Sequence, residues 1–214
     1  MNTEVKTCGL TDAQAVDAAV QAGAAYVGFV FFPPSPRHLP PAKAASLVAR
    51  VPAGIRKVGL FVDADDDFIA DVLDHVALDM LQFHGEESPD RVVAVRARFR
   101  LPVMKAVAIA GADDLVRAHA YEAVADQLLF DARAPEGADR PGGNARAFDW
   151  SLIAGEPWAR PWMLAGGLTA ANVGTAIGAT GAAMVDVSSG IEDRPGHKDP
   201  ALIHAFVEAV KKAG

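Results

Sequence analysis

Short apolar runs recur along this sequence at an even spacing of about 27 residues, the size of one strand followed by one helix. The runs are Val5–Cys8, Tyr26–Phe31, Lys57–Val62, Met80–Phe83, Val103–Val107, Gln127–Asp131, Trp162–Ala165 and Met184–Val187. They are continuously apolar rather than strictly alternating, which is the texture of parallel strands covered on both faces. Between them, Asp12–Ala22, Lys43–Val51, Asp67–Asp74, Asp90–Arg98, Asp113–Tyr121, Trp150–Ile153, Ala170–Ile177 and Ala201–Ala213 read as helices. Start signals keep the same phase. Thr11 with Gln14 fits a capping box, and Ser88–Pro89 and Asp199–Pro200 each set a capping side chain before a proline at the first helical position. An open doubly wound sheet is the rival arrangement, but no Gly-x-Gly-x-x-Gly follows the first strand and no low-complexity linker divides the chain. The expectation is an α/β protein, a single (β/α)8 TIM barrel of parallel strands over residues 1–214.

Composition narrows the function. With 51% hydrophobic residues, 214 residues can bury a substantial core. A formal charge of −7 argues against a nucleic-acid face, which needs a basic stripe, yet leaves room for an anionic small molecule held by local donors. One cysteine excludes a disulfide framework and multi-thiolate clusters, and the spacing of His38, His75, His119, His197 and His204 suits no metal, so none is expected. Met1–Thr7 lacks the pattern of a secretory signal, and the most apolar stretch, Ala22–Phe32, is far shorter than the ~20 residues of a membrane span. A cytoplasmic protein without membrane or nucleic-acid partners is expected.

In a barrel of parallel strands, chemistry gathers at the strands' C-terminal ends. There the sequence places Cys8–Gly9, His84–Gly85, Asp131, Gly166–Gly167, Asp186 and Ser188–Ser189–Gly190. Cys8 alone reads first as a small buried hydrophobe. Its strand-terminal position beside Gly9, with Lys6 on the same side by period 2, also suits a proton acceptor whose thiolate an ammonium favours. Asp131 closes Leu128–Leu129–Phe130, where it either caps or pairs with Arg133, or acts as a general acid whose proton affinity an apolar rim raises. Asp186 has the same ambiguity deeper in its strand. Gly166–Gly167 and Ser188–Ser189–Gly190 read as turns whose free N–H groups hold a phosphate, which barrels often bind after strands 7 and 8. The proline-rich segment Phe31–His38 stiffens the presentation of Arg37 toward a carboxylate, against the ordinary reading of a solvated loop arginine. His84 reads equally as a rim histidine or a ligand-binding group. The connection 134–147, rich in Pro and Gly, is long enough for a lid.

Several segments together resemble phosphoribosylanthranilate isomerase of tryptophan biosynthesis. They are Lys6-Thr7-Cys8-Gly9, Gly28-Phe29-Val30-Phe31 leading to Ser35-Pro36-Arg37, Leu81-Gln82-Phe83-His84-Gly85, Leu129-Phe130-Asp131 and Phe148-Asp149-Trp150. Leu164-Ala165-Gly166-Gly167-Leu168 and Val185–Glu192 with Pro195-Gly196 and Lys198-Asp199 complete the match, in family order over nearly the whole chain. The resemblance implies a (β/α)8 barrel that carries out an Amadori rearrangement of N-(5-phosphoribosyl)anthranilate without a cofactor. By the same resemblance Asp131 is the general acid that protonates the furanose oxygen, and Cys8 is the general base that removes the C2 proton. Arg37 would hold the anthranilate carboxylate, Asp186 would contact the sugar with His84 beside it, and Gly166, Gly167, Ser188, Ser189 and Gly190 would hold the phosphate. Family members are monomers or homodimers.

One departure from the family falls in the lid, where Ala145 stands at a position that is glycine in many relatives. The alternatives are the histidine-pathway aminoaldose isomerase, a dual-substrate enzyme, and a non-catalytic barrel that binds a phosphorylated ligand. Cys8, where the histidine-pathway family resembles a two-carboxylate design, argues against the first. The presence of both Cys8 and Asp131 argues against the last, since binding alone needs neither.

Overall fold

The computed structural model describes residues 3–134, 137, 141–143 and 147–214. Eight strands follow one another in the chain: β1 Glu4–Cys8, β2 Tyr26–Phe31, β3 Arg56–Phe61, β4 Met80–Phe83, β5 Val103–Ile109, β6 Gln127–Ala132, β7 Trp162–Leu164 and β8 Met184–Val187. Each pairs in parallel with the next, and β8 returns to β1 through Lys6 opposite Asp186, so the sheet closes on itself as the expected barrel. Closure removes both sheet edges.

Period-2 alternation then sorts each strand. The inward side chains Tyr26, Val58, Met80, Met104, Ala106, Leu129, Met163 and Ala165 form one buried cluster inside the barrel, with Cys8, Val30 and Leu60 above it. The outward ones, Phe29, Phe31, Phe61, Phe83 and Phe130 among them, pack under the helices. The same alternation turns Lys6, Gln82, Asp131 and Asp186 to the inside, toward the C-terminal rim.

Seven α-helices lie between and after the strands among the described residues: α1 Ala13–Ala22, α2 Pro41–Val48, α3 Asp66–His75, α4 Pro89–Phe99, α5 Ala112–Glu122, α6 Val173–Thr180 and α7 Pro200–Ala213. Ser88 and Asp199 cap α4 and α7 as expected, each accepting from a backbone N–H of the first turn. α7 closes the ring by burying Ile203, Phe206, Val207 and Val210, each contributing about 1.5–3 kcal/mol.

Three local expectations are corrected. The cap of α1 is Asp12, which accepts from the Ala15 N–H, because the Thr11 hydroxyl donates instead to the Gly196 carbonyl at 3.0 Å. Trp150–Leu152 is a single 3₁₀ turn capped by Asp149, since so short a run cannot complete two α turns. α6 starts three residues late because Asn172 folds back on the chain: its Oδ1 accepts from Thr169 N–H and its Nδ2 donates to the Gly167 carbonyl. After β8 the chain makes a small antiparallel hairpin, β9 Glu192–Arg194 and β10 His197–Lys198. Most of the expected lid, Ala145 included, lies outside the described residues.

Candidate active site

The rim residues picked out from sequence come together. Cys8 from β1, His84 after β4, Asp131 from β6, Asp186 from β8, Ser188 and Arg37 line one cavity, roughly 480 Å³ out to its open mouth. A smaller adjoining recess is lined by Gly166, Gly167, Ser188 and Ser189, and shares Asp131 and Asp186 as a wall.

Cys8 is buried, and β2 passes so close that a Cβ on Gly28 would lie 2.8 Å from its sulfur. Lys6 does reach this region, but its ammonium is committed to Asp186, 2.8 Å from Oδ1, with Lys6 wholly buried. Burial disfavours the Lys6 charge, and Asp186 with Cys8 outweighs it, so its pKa lies above the usual value. Lys6 acts on Cys8 in the expected direction, toward the thiolate, but it is outweighed. Burial, reinforced by Asp186, pushes the thiol up, and Lys6 and Lys198 offset only part of that.

Asp131 is held at both oxygens. Oδ1 accepts from the Ala132 N–H at 2.8 Å, and Oδ2 lies 3.1 Å from Nε2 of His84. The partner considered from sequence, Arg133, pairs instead with Asp114 on α5. His84 is in turn held by Gln82, whose Nε2 lies 3.0 Å from Nδ1. Gly142 closes on this pair; a Cβ there would sit 2.6 Å from His84 Nε2 and 2.7 Å from Asp131 Oδ2.

Arg37 is no solvated loop arginine: only 4% of it is exposed. Its guanidinium makes a two-point contact with Glu192, Nε to Oε1 at 2.7 Å and Nη2 to Oε2 at 2.9 Å. Nη1 has no protein acceptor among the described residues and carries the free donor face. Glu192 also receives Lys198, whose Nζ lies 2.7 Å from Oε1 and donates to the Ser188 carbonyl and hydroxyl oxygens. Burial lowers the Lys198 pKa to about 8, with Glu192 opposing and the nearby Arg37 charge assisting. Burial disfavours the Glu192 charge too, yet Arg37 and Lys198 hold its carboxyl below the usual range.

Neither Glu192 nor Lys198 was given a role from sequence. The available signal was a paired acid and base on adjacent strands of a short hairpin directly after the Ser-Ser-Gly turn.

The glycine turns are built for close approach. Gly166 and Gly167 have φ of +84° and +61°, a left-handed run that side chains rarely adopt, and a Cβ on Gly190 would collide with the Leu168 carbonyl oxygen. The N–H groups of Gly167, Ser189 and Gly190 donate to no carbonyl among the described residues, leaving an anion-binding concavity of amides. The Ser188 hydroxyl donates to the Cys8 carbonyl at 3.2 Å, tying this recess to β1. A cysteine sulfur and a carboxyl group thus face one cavity, with a guanidinium at one side and free amides at the other.

Comparison with known proteins accords with this geometry. The profile of the family described as N-(5'phosphoribosyl)anthranilate (PRA) isomerase matches residues 5–209. An N-(5'-phosphoribosyl)anthranilate isomerase of Rhodospirillum centenum is 59% identical over 208 residues, covering 97% of both chains. The crystal structure of phosphoribosyl anthranilate isomerase from Thermotoga maritima superposes with a TM-score of 0.88 at 36% identity, covering 98% of this chain and 99% of that one. A crystal structure of the isomerase in complex with reduced 1-(o-carboxyphenylamino)-1-deoxyribulose 5-phosphate gives 0.84 at 35% identity with the same coverage. Among the described residues no helix is long and apolar enough to cross a membrane. The chain belongs to the phosphoribosylanthranilate isomerase family.

Proposed function

We propose that the chain converts N-(5'-phosphoribosyl)anthranilate to 1-(2-carboxyphenylamino)-1-deoxyribulose 5-phosphate in tryptophan biosynthesis, with Asp131 as general acid and Cys8 as general base. The observation that carries the assignment is that Cys8 and Asp131, from β1 and β6, line the same cavity as the buried Arg37. Asp131 gives its proton to the furanose ring oxygen as the C1–O bond breaks and the nitrogen lone pair forms the protonated imine. Cys8, as thiolate, takes the C2 proton, and the electron pair of that C–H bond moves to C1–C2 and neutralises the nitrogen. The resulting enolamine loses its O2 proton and gains one at C1 to give the ketone.

Arg37 holds the carboxylate of the aromatic ring through the donor face that Glu192 leaves over. The amides around Gly166, Gly167, Ser189 and Gly190 hold the phosphate, Ser188 shapes that recess, and Asp186 faces the sugar between. Holding both ends of the substrate sets the reacting carbons between acid and base. The reaction moves protons only, so no cofactor is invoked. The working unit is one barrel of residues 1–214, as a cytoplasmic monomer or homodimer. A dimeric isomerase from Thermotoga maritima, from which monomers were generated, is among its structural neighbours.

The test follows the loss of anthranilate fluorescence when substrate is generated in situ. Cys8→Ser and Asp131→Asn should each reduce kcat at least ~100-fold while a phosphorylated product analogue still binds. Retained turnover in either variant contradicts the assigned roles.

A further inference from the structure

Gln82 lies inside the barrel, wholly buried, on the strand that carries Met80 into the apolar interior. An apolar side chain there would leave no polar group unpaired, whereas the Gln82 Oε1 is buried without a hydrogen-bond partner among the described residues. The contact that compensates the amide is its Nε2 at 3.0 Å from Nδ1 of His84. With the amide nitrogen facing Nδ1, the amide donates, Nδ1 accepts, and the imidazole carries its hydrogen on Nε2. That hydrogen points at Oδ2 of Asp131, 3.1 Å away.

From this chain of contacts we infer that Gln82 is a positioning residue for the acid: it fixes the tautomer of His84 and thereby the orientation of the Asp131 carboxyl group. His84 then serves Asp131 rather than the substrate. With Oδ1 tied to the Ala132 N–H and Oδ2 to the ring, the carboxyl plane has one orientation before substrate arrives. The inference rests on the reading of Asp131 as the acid. Among the described residues, the other ionisable groups around the pair are Cys8, Arg37 and Asp186 across the cavity. Glu86, Arg117 and the buried Lys105–Glu87 pair lie below the His84 loop. None of these contacts Nδ1, so the tautomer is set by Gln82.

The experiment combines long-range ¹H–¹⁵N spectra of histidine-labelled enzyme with steady-state kinetics of the wild type, Gln82→Met and Gln82→Glu. In the wild type, His84 should show a protonated Nε2 and an acceptor Nδ1. Gln82→Met should give mixed tautomers, a kcat lower by about 10- to 100-fold and a KM within about threefold, because orientation rather than binding is lost. Gln82→Glu, whose carboxylate only accepts, should draw the ring hydrogen onto Nδ1.

A wild-type spectrum with the hydrogen on Nδ1 overturns the inference, and so does a Gln82→Met enzyme with wild-type tautomer and kcat. If Gln82→Met fails to fold, the wild-type and Gln82→Glu spectra still decide. Asp131→Asn in the same assay separates the two readings: full activity there removes the acid role and leaves the tautomer result standing.

Discussion

A single methyl group at Gly142 would reach the acid directly. The residue has no left-handed φ, so alanine is conformationally allowed there, yet its Cβ would press within 2.6 Å of His84 Nε2 and 2.7 Å of Asp131 Oδ2. Neither atom sits on a side chain free to swing aside, since both belong to the chain of contacts that begins at Gln82. Gly142→Ala is therefore expected to lower kcat by about 10- to 100-fold with an unchanged denaturation midpoint, measured by steady-state fluorescence and urea titration. Wild-type turnover would mean that the lid does not sit on the acid when the reaction occurs. Cys8 shows the opposite relation between pattern and environment. Lys6 lies where period 2 puts it, but the carboxylate of Asp186, a strand away at the other end of the chain, claims its charge.

At the scale of elements, the two turns after β7 and β8 act as one unit. A Cβ on Gly190 would run into the Leu168 carbonyl oxygen, which is backbone and cannot rotate away. Gly190→Ala should push the turns apart and weaken binding of a phosphorylated product analogue by roughly tenfold or more, about 1.4 kcal/mol, read by calorimetry. The affinity of an analogue lacking the phosphate should not change. Equal losses for both analogues would place the effect outside the amide recess. The corrections at α1 and α6 have a related origin. Asn172 is spent on the turn just before it, whereas Thr11, a good capping residue, is spent on a distant tie to Gly196. Local propensity cannot anticipate a partner that arrives from elsewhere.

For the whole molecule, the buried charges give stability a distinctive pH dependence. Lys198 loses its proton in the native state near pH 8, against an ordinary value of 10.5 in the unfolded chain. Above pH 8 unfolding therefore takes up a proton, and this group makes stability rise with pH, by up to about 1.4 kcal/mol per unit. Cys8 and Lys6 act in the opposite sense. Their native values lie above 9.0 and 10.5, so the native state keeps protons that the unfolded chain gives up, and stability is lost as pH climbs past those points. Between pH 8 and about 9 the Lys198 contribution stands apart from theirs. Urea titrations at the two ends of that window should show the wild type gaining on Lys198→Met by about 1 kcal/mol. Parallel curves would mean that Lys198 stays charged throughout.

The order of strands and helices, and the rim positions of Cys8, Arg37, His84, Asp131, Asp186 and the glycine turns, were legible in the sequence. Period, run length and turn chemistry are local properties, and in a parallel barrel the end of a strand is also the site. The partnerships among those residues were not legible. Lys6 serves Asp186 because β8 returns beside β1, Arg37 joins Lys198 on Glu192 because the hairpin after β8 meets the loop after β2, and Gln82 reaches Asp131 through His84 because β4 and β6 face one rim with β5 between them. Burial makes those pairings consequential, because only where water is excluded does an unpaired charge or amide cost enough to dictate which group faces which. Barrel closure decides both the neighbours and the burial.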